Sequence, residues 1–459
     1  MIPTTLKQIA DWADGRLIQG RPSDRIVCVS TDSRTAGPGD LFVALKGDRF
    51  DGHDFIDQVS AQGAVAILVS QLNLATERFP GAIIHVRQPL AALQELALQY
   101  RRSLPDLFVV GVTGSNGKTS TKDFLAAVLS RSGNVNATLG NLNNHIGLPL
   151  TVLRTAADHV SGVWEMGMSH PGEIEMLAEI ARPDAAVITH VGTAHIEHMK
   201  TRDAIALEKG MLAEAVSESG FVVLPAADDY AESIARRCRA RVIMVGIDRG
   251  EVRACDLRTT DRGIRFVIEA DQGRAEVDLP VPGRHMVGNA LLAAAVGLER
   301  CIAMGDVAAA LSESRLTAGR LQRRRVAGID FLDDSYNANP DSMRAAVNTL
   351  KGLETPGRRV AVLGRMAELG EHEAMEHAAL GDFVADSGID LLVTVGETAA
   401  LAAQAAGGKM EVHAAADQVA AAAYLGTTLA AGDLVLVKGS RSSAMEKVIA
   451  ALGGEDQGH

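Results

Sequence analysis

The sequence predicts an α/β fold in three domains, two of them built on doubly wound parallel sheets. Three observations carry this reading. The chain has 459 residues, and at roughly 150 residues per domain that length accommodates three. From residue 107 onward, continuous apolar runs of strand length alternate with segments of helical period, the pattern of parallel strands covered by helices on both faces. A glycine-rich loop separates one such run from the helix after it. Apolar residues at 47% against 22% charged supply large cores and exclude a disordered chain.

The elements follow in order. Residues 1–88 form a small α/β domain whose strands are 41–45, after the turn Gly37-Pro38-Gly39-Asp40, then 64–69 and 82–86. Pro89 opens a helix with Leu90, Leu93, Leu96 and Tyr100 on one face, and Pro105 ends it. The central domain, 89–317, begins its sheet with 107–112, apolar throughout as a strand buried on both faces must be. A helix over 121–131 aligns Phe124, Leu125, Val128 and Leu129, with Gly133 as its C-cap. Further strands are 162–166, 185–189, 221–224 and 241–245. Between 251 and 282 the alternation of Val277, Leu279 and Val281 marks an antiparallel excursion. The third domain, 318–459, repeats the α/β pattern with strands 328–332, 359–363, 390–395 and 433–437. The alanine-rich stretch 399–432 reads as helix, Arg323-Arg324-Arg325 as a solvated strand edge rather than a site, and 453–459 as a frayed tail.

Composition narrows the function. With 45 Lys+Arg against 57 Asp+Glu the net charge is −12, which excludes a basic surface for nucleic acid. Aromatics at 3% leave little for base-stacking platforms. Cys28, Cys238, Cys255 and Cys301 form no C-x-x-C pair and read as buried free thiols of a reducing compartment. The N-terminus lacks an apolar signal core, and no apolar run approaches the ~20 residues of a membrane helix. A cytoplasmic protein without membrane insertion is expected.

Residues 111–120, GVTGSNGKTS, stand between a buried strand and a helix. Glycines there let backbone N–H groups approach phosphate oxygens, and the helix N-terminus adds a favourable dipole. Lys118 would reach the β/γ-phosphates and the Thr119 hydroxyl a Mg²⁺ ion. Val112 stands where the strict pattern has its first glycine. Glu165, near the end of the 162–166 strand, and His195, just past 185–189, would face this loop, because ligands bind at the carboxyl ends of the strands. Each alone is a weak signal, and a carboxylate near a strand end is more often a solvated surface group. His190, His195 and His198 lack the H-E-x-x-H spacing and cysteine partners of a zinc site. Lys209 shares a helical face with Ile205, Leu212 and Val216. Such a lysine either snorkels or loses its proton more readily.

Other segments extend the pattern. Thr31-Asp32-Ser33-Arg34 and LFVALKGDRFDGHDF (41–55) stand in the first domain; GNLNNHIGLP (140–149) follows TGSNGKTST (113–121) in the second. LDDSYNANPDSM (332–343), MAELGEHE (366–373) and KGSRSSAME (438–446) stand in the third. Over nearly its whole length the chain resembles the Mur ligases, and within them the branch that joins a D-alanyl-D-alanine dipeptide to a muramoyl tripeptide. The family's variant ATP loop accounts for Val112.

The resemblance implies a small N-terminal α/β domain for the uridine nucleotide, a central P-loop-type ATPase domain, and a C-terminal Rossmann-like domain that binds the dipeptide and closes over ATP. It implies that Thr113, Gly114, Ser115, Asn116, Gly117, Lys118, Thr119 and Ser120 hold ATP, with Asn289 at the adenine and Arg320 and Asp334 closing from the third domain. Thr119, Glu165, His195 and a carbamylated Lys209 would hold Mg²⁺. The catalytic group is Lys118, Glu165, His195, Lys209 and Arg320. Ser33, Arg34 and Lys46 fall in the uridine segments, and Asn141, Asn143 and Asn144 on the muramoyl-peptide side. Asn337, Lys438 and Ser440 are further substrate contacts. Met286 and Arg365 depart from the family's usual Asn and Asp.

The expected reaction is ATP-dependent ligation of D-Ala-D-Ala to UDP-MurNAc-tripeptide through an acyl phosphate, by a monomer whose domains close on binding. Against it stand a sister ligase adding one amino acid and a folylpolyglutamate synthase, which would not need the TDSR segment. An ATPase switch module would leave the first domain unexplained. A dehydrogenase would require a G-x-G-x-x-G that follows no strand here.

Overall fold

The structure, a computed structural model, describes residues 1–453. All but the first residue of the tail expected to fray therefore lies outside the described residues.

Three main sheets follow one another along the chain. The first runs in the order Arg16–Gln19, Ala82–His85, Ala66–Val69, Asp40–Val43, Cys28–Ser30, parallel except at its first pair. Helices Leu6–Trp12, Ile56–Ala61 and Leu74–Arg78 accompany it. Helix Pro89–Arg102 leads out of it, burying Leu93, Leu96 and Tyr100 while Leu90 stays half-buried. Arg101 locks this helix to the next unit. Its guanidinium donates to the carbonyls of Ala181 and Leu104 and pairs with Asp184, whose carboxylate also accepts the Val109 N–H at 2.8 Å.

The central sheet has nine strands. Strand Phe108–Thr113 lies inside it, flanked by His159–Glu165 and Ala185–Ile188, both parallel to it. The chain winds outward to Asn134–Ala137 and back to His159–Glu165. It then crosses to Ala185–Ile188 and continues the other way through Phe221–Pro225 and Arg241–Ile247. The winding thus reverses around Phe108–Thr113, which places a crevice at that strand's carboxyl end. The expected antiparallel excursion is Val252–Thr259, Ile264–Ala270 and Gly273–Leu279.

Helix Lys118–Leu129 starts three residues earlier than its apolar face suggests, directly on the glycine-rich loop. Phe124, Leu125, Val128 and Leu129 are at most 1% exposed and pack in one core with helix Arg284–Glu299. Each such burial is worth roughly 1.5–3 kcal/mol. The helix ends at Ser130, so Gly133 (φ +144°) belongs to the turn beyond and is not its cap.

The third sheet runs Gln322–Val326, Ile329–Asp334, Leu434–Lys438, Arg359–Leu363, Leu391–Val395, Glu411–Ala415, parallel except at the first pair. The arginine run does lie on an edge strand, although Arg324 turns inward to Asp333 at 3.0 Å. The alanine-rich stretch is not all helix, because strand Glu411–Ala415 divides Ala400–Ala406 from Gln418–Thr428. The cysteines are free but not buried: three are half-buried and Cys301 is exposed. No helix among the described residues is long and apolar enough to cross a membrane.

Candidate active site between the second and third sheets

The loop after Phe108–Thr113 is shaped by close packing. Thr113 Oγ1 donates to the Met166 carbonyl at 2.8 Å, fastening the strand end to its neighbour. At Gly114 (φ +149°) a Cβ would stand 1.9 Å from Thr189 Oγ1, so only glycine fits. The Ser115 N–H donates to the His190 carbonyl at 2.7 Å, and Ser115 Oγ accepts the Gly192 N–H at 2.9 Å. Gly117 (φ +82°) lies against the Asn289 amide. The Lys118 ammonium folds back on the Gly114 carbonyl at 2.8 Å. Burial lowers its pKa, opposed by Glu165. The first-turn N–H groups of the following helix have no acceptor one turn earlier and are free for an anion.

Glu165, the last residue of its strand, is 2% exposed rather than solvated. Its backbone N–H donates to Thr138 Oγ1. Its two carboxylate oxygens accept from Thr119 Oγ1 at 2.9 Å and Asn143 Nδ2 at 2.8 Å. Arg320 reaches across from the third unit, donating to Thr119 Oγ1 at 3.1 Å with its guanidinium 4.1 Å from the Tyr336 ring centre. Lys438 Nζ pairs with Asp334 at 2.7 Å and donates to the Asn337 carbonyl. Its pKa is lowered by burial against the pull of Asp334.

These groups line one cleft of about 1060 Å³. It brings together residues 115–120, Asn143, Asn144, Glu165, His195, Asn289, Arg320, Asp334, Asn337, Lys438 and Ser440. Thr113 and Gly114 lie behind the loop and shape it. Asn141 is exposed in a turn outside the cleft, and Asn144 Oδ1 spends its acceptor on the N–H groups of Ile146 and Gly147. Ser33, Arg34 and Lys46 belong to the first unit and do not line this cleft. Arg34 is clamped by Asp32, and Lys46 stands 3.8 Å from Asp51.

Lys209 does not snorkel. It is 1% exposed on helix Arg202–Glu214, and no group among the described residues accepts a hydrogen bond from its Nζ. Its pKa falls well below the ordinary lysine value, through burial first and the charge of Lys118 second; Glu208 only partly opposes this. Glu208 is itself committed to the N–H groups of Gly172 and Ile174.

Several cleft residues carry no motif of their own. Asn339 Nδ2 donates to Asn116 Oδ1 at 2.8 Å, and Asp341 accepts from the Thr193 N–H and hydroxyl at 2.9 and 3.2 Å. They lie inside the quoted 332–343 segment, where the Asn-Pro pair signals a helix start but not what the helix docks on. His190 pairs with Asp228. His198 lies 4.6 Å from His170, and His195 stands 2.5 Å from Glu368, so the three histidines do not converge.

A hydroxyl, a carboxylate and an imidazole form a donor set that suits Mg²⁺. The buried Glu165 carboxylate beside the Thr119 hydroxyl fits such an ion. No cluster of three His, Cys, Asp or Glu able to hold a metal occurs among the described residues, so an ion here would draw further ligands from phosphates and water.

Residues 25–101 match the Mur ligase family catalytic domain, 112–297 the Mur ligase middle domain, and 319–441 the Mur ligase glutamate ligase domain. The chain is 38% identical to the UDP-N-acetylmuramoyl-tripeptide–D-alanyl-D-alanine ligase of Escherichia coli K12, over 98% of this chain and 99% of that one. It is 36% identical to the Bacillus subtilis ligase of the same name, over 98% of each. Among solved structures, MurF from Acinetobacter baumannii superposes with a TM-score of 0.90 at 33% identity, covering 98% of both chains. The MurF ligase of Thermotoga maritima in complex with ADP gives 0.82 at 30% identity, covering 93% of this chain and 96% of that one. On these matches the chain belongs to the Mur ligase family.

Proposed function

We propose that the chain joins D-alanyl-D-alanine to UDP-MurNAc-tripeptide at the expense of ATP, giving UDP-MurNAc-pentapeptide, ADP and phosphate for peptidoglycan synthesis. The observation that carries this is the single cleft that holds the phosphate loop, Glu165 and the third unit's Arg320, Asp334 and Lys438, in a chain alike over its full length to ligases of that name.

The tripeptide carboxylate attacks the γ-phosphate of ATP, and ADP leaves. The dipeptide amine then attacks the acyl phosphate, and the tetrahedral intermediate expels phosphate. Positioning and charge neutralisation do most of this work. In the reading offered here, residues 113–120 cradle the phosphates and Lys118 and Arg320 neutralise them. Asn289 contacts the adenine, and Asp334 holds Lys438 at the cleft. Asn143 steadies Glu165; Asn141, Asn144, Asn337, Lys438 and Ser440 contact the peptides, and Ser33, Arg34 and Lys46 the uridine nucleotide. Mg²⁺, held by Thr119, Glu165, His195 and a carbamylated Lys209, would add charge neutralisation at the phosphates. The division of labour is 1–88 for the uridine nucleotide, 89–317 for ATP, and 318–459 for the dipeptide, in a cytoplasmic monomer.

Phosphate release with ATP and Mg²⁺ tests the reading. Release is expected only when UDP-MurNAc-tripeptide and D-Ala-D-Ala are both present. Release with a single amino acid would move the chain to a sister activity, and release with neither substrate would overturn the ligase.

A further inference from the structure

His195 and Glu368 meet across the cleft from different units, 2.5 Å apart between Nδ1 and Oε2. Both residues have left-handed backbones, φ +64° and φ +61°. Neither is glycine, so each holds a strained conformation that persists only where its surroundings impose it. The carboxylate faces Nδ1 off the line of a ring N–H, and Nδ1 has no other partner among the described residues. The contact belongs to a seam. Gly370 packs against the Glu197 side chain, and Arg365, one of the two family departures, feels the charge of Glu197.

We infer that Glu368 is a positioning residue for His195, delivered by the third unit, so that docking of that unit completes the cation site. A ligating histidine needs its second nitrogen held, which sets tautomer, ring orientation and basicity. Nothing in the central unit does this for His195 among the described residues. Glu368 does, through Nδ1, and leaves Nε2 for the ion. The inference rests on the ligand reading of His195.

Mn²⁺ titration followed by electron paramagnetic resonance tests it, with ADP and UDP-MurNAc-tripeptide present. Glu368→Ala is expected to weaken Mn²⁺ binding by about 10–100-fold, with Glu368→Asp recovering part of the loss. Metal-free ADP affinity should change far less than Mn²⁺ affinity, because the Glu368 side chain is half exposed and acts through His195. Unchanged Mn²⁺ affinity in Glu368→Ala would overturn the inference alone. A wild type that binds no Mn²⁺, or a His195→Ala variant that binds it normally, would overturn the ligand reading beneath it.

Discussion

Lys209 shows how burial can set a side chain's chemistry. Its amine sits on an apolar helix face with Lys118 as its charged neighbour and Glu208 already occupied. A lysine whose folded pKa lies below its unfolded one rejects its proton on folding. Stability therefore rises with pH from the folded value up to the ordinary 10.5. A neutral amine adds to CO₂ and releases a proton, leaving a carbamate anion that Lys118 would stabilise. Lys209→Met is expected to keep or raise Tm at neutral pH and to lower kcat by roughly 10²-fold or more. With ¹³C-bicarbonate, the wild type should show a carbamate carbon resonance that the variant lacks; a wild type without it refutes the modification. The stripe made this lysine conspicuous in the sequence. Glu165 and His195 were legible from their places at strand ends. Asn339, Asp341 and Glu368 were not, because their partners lie 223, 148 and about 170 residues away, and no local pattern encodes contacts at that separation.

At the scale of elements, the strands read most clearly are the ones buried on both faces, such as Phe108–Thr113 and Leu434–Lys438. Those that escaped notice include Arg16–Gln19, Asn134–Ala137 and Glu411–Ala415. Each lies at a sheet edge and shows polar side chains to solvent, so the apolar run that marks an inner strand is missing. The glycine-rich loop was legible because its glycines answer a steric demand. Gly114→Ala tests that demand. A methyl group there collides with Thr189 Oγ1 and the backbone must leave φ +149°. A cost of about 1–3 kcal/mol for the strained backbone, plus the collision, should lower Tm by several degrees and abolish ADP binding in a titration. Gly140→Ala, with nothing within 4 Å of its Cβ, should keep ADP binding. A Gly114→Ala protein that binds ADP normally would show that the loop does not hold phosphate as built.

At the scale of the whole molecule, the seam between the central and third units is made of contacts to the glycine-rich loop and its neighbours. Asn339 holds Asn116, Asp341 holds Thr193, Arg320 holds Thr119 and Glu368 holds His195. Anything bound on the loop must therefore alter the balance between docked and open units. The overall charge of −12 repels anionic substrates, so Lys118, Arg320 and Lys438 at the cleft must attract them locally. Bound phosphates would in turn draw Arg320 and Lys438, and the unit that carries them, onto the loop. X-ray scattering should accordingly report a smaller radius of gyration with a non-hydrolysable ATP analogue and UDP-MurNAc-tripeptide than without them. Asp341→Ala removes two hydrogen bonds to a charged group, each worth about 1.5–3 kcal/mol. That is enough to shift the docking equilibrium at least tenfold. The variant should stay more open with ligands bound and should show a raised KM for the dipeptide, which the proposed function assigns to the third unit. Its affinity for ATP, which the proposed function assigns mainly to the central loop, should change far less. Identical scattering curves with and without ligands would refute the coupling, and so would an Asp341→Ala protein that closes as the wild type does.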